Sequence, residues 1–139
     1  MYPSCISENC KKKVNRQDNQ WFCSSCSKKM QNCHWRFNLK ARIHDYSGSC
    51  FVTIFDQTAQ SLLGISANQI QNIIHSGKIK EYHKIFQNVK YQEYLLKITK
   101  KNSKKFMNSF VAESITPIRN EIIEYSKYLI KIIHSYSSN

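Results

Sequence analysis

The chain has 139 residues, with 21 Lys and Arg against 9 Asp and Glu, a formal net charge of +12. That length fits one domain of ordinary size, and the positive excess favours a polyanionic partner, because neutralising phosphates releases counterions; plain solubility is the alternative. No apolar run approaches ~20 residues, so no segment is expected to span a membrane, and the most apolar stretch, Tyr128 to Ile133, is interrupted by Lys131.

The first predicted element is a ribbon over residues 5–33. Cys5 and Cys10 form C-x4-C, and after a spacer of twelve residues Cys23 and Cys26 form C-x2-C. Two such pairs point to a structural zinc ion held by four thiolates, which leaves no open position for catalysis. With zinc bound the net charge falls from +12 to +10, since the ion adds 2 and four thiolates remove 4. A disulfide scaffold is the competing reading of six cysteines, and the absence of a leader ahead of Cys5 argues for metal instead. Cys33 and His34 offer a substitute ligand but lie too far along for a simple knuckle, and Cys50 reads as a core residue. A polar hairpin, Lys11 to Gln20, joins the knuckles, Trp21 and Phe22 supply an apolar floor, and Ser24 to Asn32 reads as loop.

Residues 34–45 alternate with period two, which predicts a strand. Trp35, Phe37, Leu39, Ala41 and Ile43 take the core face, and His34, Arg36, Asn38, Lys40, Arg42 and His44 the other. A turn at Tyr46 to Ser49 leads to a second strand, Cys50 to Phe55. Asp56 is placed to cap a helix from Gln57 to Leu63 that Gly64 ends. Ser66 to Gln69 is a capping box opening a second helix, with Ile70, Ile73 and Ile74 as its buried stripe and Gly77 as its stop. A short helix is expected over Glu81 to Asn88, then strands over Tyr91 to Lys101 and Phe106 to Ile115 joined by a basic loop, Lys100 to Lys105. Thr116 and Pro117 read as the N-cap and first residue of a last helix, from about Ile118 to Tyr136. The fold class is therefore mainly β with α. Strands separated by helices between the third and fourth barrel positions match an OB-fold carrying an inserted ribbon and a C-terminal amphipathic helix. The expected division is residues 1–33 for the ribbon, 34–117 for the barrel and 118–139 for the assembly helix.

Arg36, Lys40, Arg42, Lys97 and Lys101 lie on the non-core face of two predicted strands, and Lys104 and Lys105 extend the set into the hairpin loop. They are candidate phosphate contacts, against the bland reading of a solvated polar face. Phe51 and Phe55 share the side of their strand opposite Cys50, Val52 and Ile54, as base-stacking platforms or as core. In the last helix Ile122, Leu129 and Tyr136 recur every seven residues with Tyr125 and Ile132 between them, and Ile123, Ile130 and Ile133 widen the surface. Such a seam asks for partner helices, beyond packing on its own barrel. No Gly-rich phosphate loop or catalytic constellation stands out, so an enzyme is not expected.

With these residues in hand, the chain resembles the C-terminal domain of the replication protein A large subunit family. Three stretches carry the likeness: Tyr2-Pro3-Ser4-Cys5 with Cys10-Lys11-Lys12-Lys13-Val14, Phe51 to Phe55 with Leu62-Leu63-Gly64, and Phe86-Gln87-Asn88. The resemblance implies a nuclear single-stranded-DNA-binding module whose last helix bundles with helices of two smaller OB-fold subunits. Telomerase-associated and telomere-capping paralogues use similar domains, so a scaffold with incidental DNA contact is one alternative. A zinc-ribbon transcription or nuclease accessory factor is another. In that family a barrel strand precedes the ribbon, whereas here only Met1 to Ser4 precede Cys5. Four barrel strands are therefore expected, the gap reflecting either a fragment lacking that strand or another segment that fills it.

Overall fold

A computed structural model describes residues 1–103, 106–118 and 122–137, with side chains described at these except 102, 103, 106–109, 122–124 and 137. The ribbon begins with β1 (Tyr2–Ser4), then β2 (Asn15–Gln17), β3 (Gln20–Cys23) and β4 (Lys28–Met30), and the chain leaves it through β5 (His34–Arg36). β2 and β3 close a hairpin at Asp18 and Asn19, whose φ values of 46° and 63° give the two-residue turn that suits strand twist. β4 adds to the far edge of β3, so the segment expected as loop from Ser24 to Asn32 contains a strand. Met30 explains it: the side chain is buried beside Cys5, Val14 and Cys23 and draws the segment back onto the sheet. β1 is bordered on both edges. Val14 N–H donates to Pro3 O and Cys5 N–H to Lys12 O on one side, and β5 pairs antiparallel on the other, Ser4 opposite His34.

The larger sheet holds β6 (Asn38–Asp45), β7 (Gly48–Phe55), β8 (Tyr94–Ser103) and β9 (Phe106–Pro117) in the order β6-β7-β9-β8. β7 pairs with β9 in parallel and the other pairings are antiparallel. Between β7 and β8 run α1 (Asp56–Leu63), α2 (Ala67–His75) and α3 (Ile79–Gln87), and α4 (Ile122–Ser137) follows β9. This order is OB-like, with four strands as counted from the sequence; β1 pairs with β5 and does not join them. Phe37, Val52, Ile54, Ala59, Ala67, Ile70 and Ala112 form the buried core, with Trp35, Leu39, Ala41, Ile43 and Cys50 packed around it. Among the described residues no helix is long and apolar enough to cross a membrane.

Several local expectations change. The capping box of α2 forms as read, Ser66 and Gln69 bonding each other's backbone N–H, and Gly64 ends α1 with φ 67°. Ile74 is exposed, because the buried stripe of α2 runs through Ala67 and Ile70. α3 opens two residues earlier than expected, at Ile79. Tyr91 sits in a turn at φ 59°, so β8 starts only at Tyr94. Thr116 and Pro117 do not start a helix: they end β9, opposite Leu95 and Tyr94, because sheet pairing overrides the local capping signal. Ser103 pairs with Phe106, so β8 runs into the expected loop while β9 begins at Phe106 as read, and Lys104 and Lys105 lie outside the described residues.

The long strand expected over 34–45 is broken at Phe37, between β5 and β6. Asp56 accounts for the break. Its carboxylate accepts from the Phe37 N–H at 3.0 Å and from the Arg36 guanidinium at 2.7 Å. Arg36 Nε donates to Ser4 Oγ at 3.0 Å, and Ser4 Oγ donates to His34 O at 2.8 Å. Asp56 is thus the first residue of α1, not its cap; Phe55 holds the cap position without a side-chain bond. The pair is about a quarter exposed, 23% for Arg36 and 28% for Asp56. Asp56→Ala should cost the domain about 2 kcal/mol, because it strips a charge-assisted bond and orphans a backbone donor. Urea unfolding checks this, and Arg36→Ala in the same background should add little, since the two share one interaction.

Candidate metal centre and nucleic-acid interface

Cys5, Cys10, Cys23 and Cys26 bring their Sγ atoms within 4.8 Å of one another, and Cys10 and Cys23 approach to 3.7 Å. The corners of a tetrahedron with metal–sulfur bonds of about 2.3 Å lie roughly 3.8 Å apart. Cys5 and Cys23 are buried, and Cys10 and Cys26 are partly so. The two strands and two knuckles explain the convergence. Cys10 N–H donates to Ser7 O in the first knuckle, and Cys23 ends β3 opposite Lys28 across the second. Hydrogen bonds from the side chain and backbone of Ser7 hold the Cys5 thiol down at about 6. The Cys10 thiol, then burial, push Cys26 up to about 12. Four sulfurs in that space cannot all ionise without a cation among them, which a metal ion would supply. The donor set therefore fits a metal. Cys33 borders this cluster but is not one of the four, and burial raises its thiol.

One divalent ion per chain is the expected result of elemental analysis. Cys23→Ser should release it and accelerate amide exchange over residues 5–33. The barrel, with a separate core, should keep its cooperative unfolding. Retention should fall on acidification, since protons compete for the thiolates. A metal-free chain with a protected ribbon would contradict this.

The register of the larger sheet gathers most of the remaining expected residues on one face. Arg42 lies opposite Phe51, Lys40 opposite Thr53 and Asn38 opposite Phe55. Thr53 in turn neighbours Val111, which neighbours Thr99. Phe51 is 67% exposed and Phe55 42%, so neither is core. Their inward neighbours Val52 and Ile54 fill the interior instead. The Lys101 ammonium sits over the Phe55 ring, 5.6 Å from its centroid, which is cation–π range. Arg42 is steadied by Ser49 Oγ at 3.0 Å.

Two expected phosphate contacts stand elsewhere. Arg36 is held by Asp56 and Ser4, so its role here is to brace the fold. Lys97 pairs with Glu113 at 3.0 Å. Glu113 also accepts from the Thr99 hydroxyl, and these contacts, Thr99 first, hold its carboxyl below the usual range. Glu113 was not among the residues singled out from the sequence. Its place follows from the register shift between Lys97 and Ile98, which no local pattern announces.

Along α4, Tyr125 and Ile132 are half-buried. Tyr128, Leu129, Ile130, Ile133 and Tyr136 are exposed, Ile133 at 61% and Tyr136 at 80%. Ile122 opens the helix, but its side chain and that of Ile123 lie outside those described.

Comparison with known proteins agrees with this layout. The profile described as "Replication factor-A C terminal domain" matches residues 1–128. Replication factor A protein 1 of Saccharomyces cerevisiae is 36% identical over 98 residues, covering 70% of this chain and 16% of the relative. The replication protein A 70 kDa DNA-binding subunit of Xenopus tropicalis is 31% identical over 148 residues, covering 99% of this chain and 23% of the relative. The chain thus spans about a fifth of the length of these curated relatives. Among solved structures, yeast RPA bound to ssDNA is similar with a TM-score of 0.74 and 26% identity, over 97% of this chain and 76% of that one. A replication protein A heterotrimer bound to ssDNA shares the fold, with a TM-score of 0.78 at 21% identity over 97% of this chain and 31% of that one.

Proposed function

The chain belongs to the replication factor-A C-terminal domain family, and from that premise we propose that it is the single-strand-binding and assembly module of a larger subunit. The observation that carries this is the exposed face of β6 and β7, where Lys40, Arg42, Phe51 and Phe55 lie together with Lys101 close by. An OB-fold binds oligonucleotides across its second and third strands, which β6 and β7 represent in this order. Exposed rings stack successive bases while lysine and arginine neutralise the backbone. The similarity to yeast RPA bound to ssDNA supports the same reading. The role is binding rather than catalysis, in the nucleus, in DNA replication or repair. The metal is zinc in a structural role, since four thiolates in a closed tetrahedral set suit it best.

The charge reversals Lys40→Glu and Arg42→Glu should weaken single-strand binding and lower the log–log salt slope by about 0.7 for each phosphate no longer neutralised. Phe51→Ala should weaken binding with the slope unchanged, by about 1–3 kcal/mol if the ring carries a stacked base. Glu113→Gln should act in the opposite direction, tightening binding and steepening the slope by releasing Lys97. Fluorescence anisotropy across a salt series reads all three. An unmoved slope in the reversals would favour a scaffold with incidental DNA contact.

Assembly rests on α4. Its exposed apolar surface is what a helix presents to partner helices, and two smaller subunits are the proposed partners. Burying one such side chain contributes about 1.5–3 kcal/mol. Leu129→Asp with Ile132→Asp should therefore abolish co-purification while leaving metal content and barrel unfolding intact. Light scattering on the wild-type and mutant complexes is the check. A mutant that unfolds instead of dissociating would place the helix in its own core.

A further inference from the structure

Between the ribbon and α2, with Trp35 of β5 in its wall and neither Lys40 nor Arg42 among its lining, a cleft of about 600 Å3 opens. That is an ordinary size for a ligand site. We propose that it is a second nucleic-acid contact, taking an unpaired nucleotide of the strand bound by the β6–β7 face; the inference rests on that strand-binding reading. Both tryptophans of the chain, Trp21 and Trp35, line it. Their rings meet edge to face at 6.4 Å, and both are partly exposed. Asn68 Oδ1 accepts from the Trp35 N–H at 2.8 Å, which fixes α2 against β5 and pre-forms the cleft.

The rest of the wall is rich in amides. Six of its eleven residues are Asn or Gln, and none is acidic. An amide side chain offers a donor and an acceptor together, as the edge of an unpaired base requires. Arg16 stands on the wall for a phosphate, and His75, bonded to Gln71 at 3.1 Å, adds a second nitrogenous group. Amides would also suit a peptide backbone. The nucleotide is favoured because the wall carries a cation and no carboxylate, and the ribbon beside it exposes Lys11, Lys12, Lys13, Lys28 and Lys29.

The placement of both tryptophans supplies the test. Tryptophan-selective emission reports on this cleft, whereas the aromatics of the strand face are phenylalanines. An oligothymidylate of about 16 nucleotides is titrated into the whole chain while its anisotropy and the tryptophan emission are read together. A saturable quench is expected. Arg16→Glu with Asn72→Ala, both at exposed positions, should remove most of the quench and weaken affinity about tenfold. Metal content and circular dichroism establish that the double variant is folded. Phe51→Ala should lower affinity and leave the quench amplitude at saturation. Anisotropy binding with unchanged emission, or a quench that survives the double variant, overturns the cleft alone. Quenching by an amide-rich peptide but not by the oligonucleotide overturns it as well. No anisotropy change at all defeats the strand-binding reading, and the cleft proposal with it.

Discussion

Asp56 stands where β7 passes into α1, and both its oxygens are committed to the segment at the β5–β6 break, one to Arg36 and one to the Phe37 N–H. The break at Phe37 takes that N–H out of the regular ladder, and a buried donor without a partner is costly. The carboxylate satisfies it and fixes the angle at which β5 leaves β6. Through Arg36 the same acid reaches the buried Ser4, on the strand at the root of the ribbon. The position of the ribbon relative to the barrel therefore rests partly on one side chain from the first turn of a helix. The cleft beside α2 depends on it too, since Trp35 belongs to the strand that Asp56 redirects.

The strand face shows how a strongly basic chain confines its attraction for polyanions. Arg42, Lys40 and Lys101 accompany the two exposed rings, whereas Glu113 offsets Lys97 at the β8–β9 side. A phosphate near Lys97 must compete with a carboxylate already in place, while one near Lys40 or Arg42 meets no such rival among the ion pairs of the described residues. Cations run the length of the face, Arg42 opposite Phe51, Lys40 opposite Thr53 and Lys101 over Phe55, and the attraction is weakest beside the Lys97–Glu113 pair. Orientation of a strand can follow from that unevenness without any base-specific contact.

Much of this was legible in the residues because the signals were local and agreed with one another. Alternation from Trp35 to Ile43 placed the core face, Ser66 and Gln69 marked a helix start, and the cysteine spacing brought four sulfurs together. The failures share a cause: a distant partner outweighed a local preference. Thr116 and Pro117 carry a helix-start signal, yet Leu95 and Tyr94 hold them in a sheet. Asp56 has the chemistry of a cap, yet it bonds a strand twenty residues back. Arg36 shares the alternation of Lys40 and Arg42 and differs only in having that acid within reach. Ser24 to Asn32 reads as loop, and burial of Met30 beside Cys5, Val14 and Cys23 turns part of it into a strand.

The two cores also differ in kind, and this bears on how the module can be divided. In the barrel, Phe37, Val52, Ile54 and Ile70 supply large buried side chains with alanines packed among them. In the ribbon the buried apolar residues are Cys5, Val14, Cys23 and Met30, beside the polar Ser4, and two of those four are candidate metal ligands. A ribbon of this size with so little apolar content lacks the burial to offset the entropy of ordering its chain. Metal–thiolate bonds at the four clustered cysteines would supply the difference. On the proposed metal site, the ribbon's order would follow metal and thiol state, whereas the barrel's is set by packing. Because Trp21 packs on the first core and Trp35 on the second, any contact that spans them requires an ordered ribbon, which the proposed metal would secure.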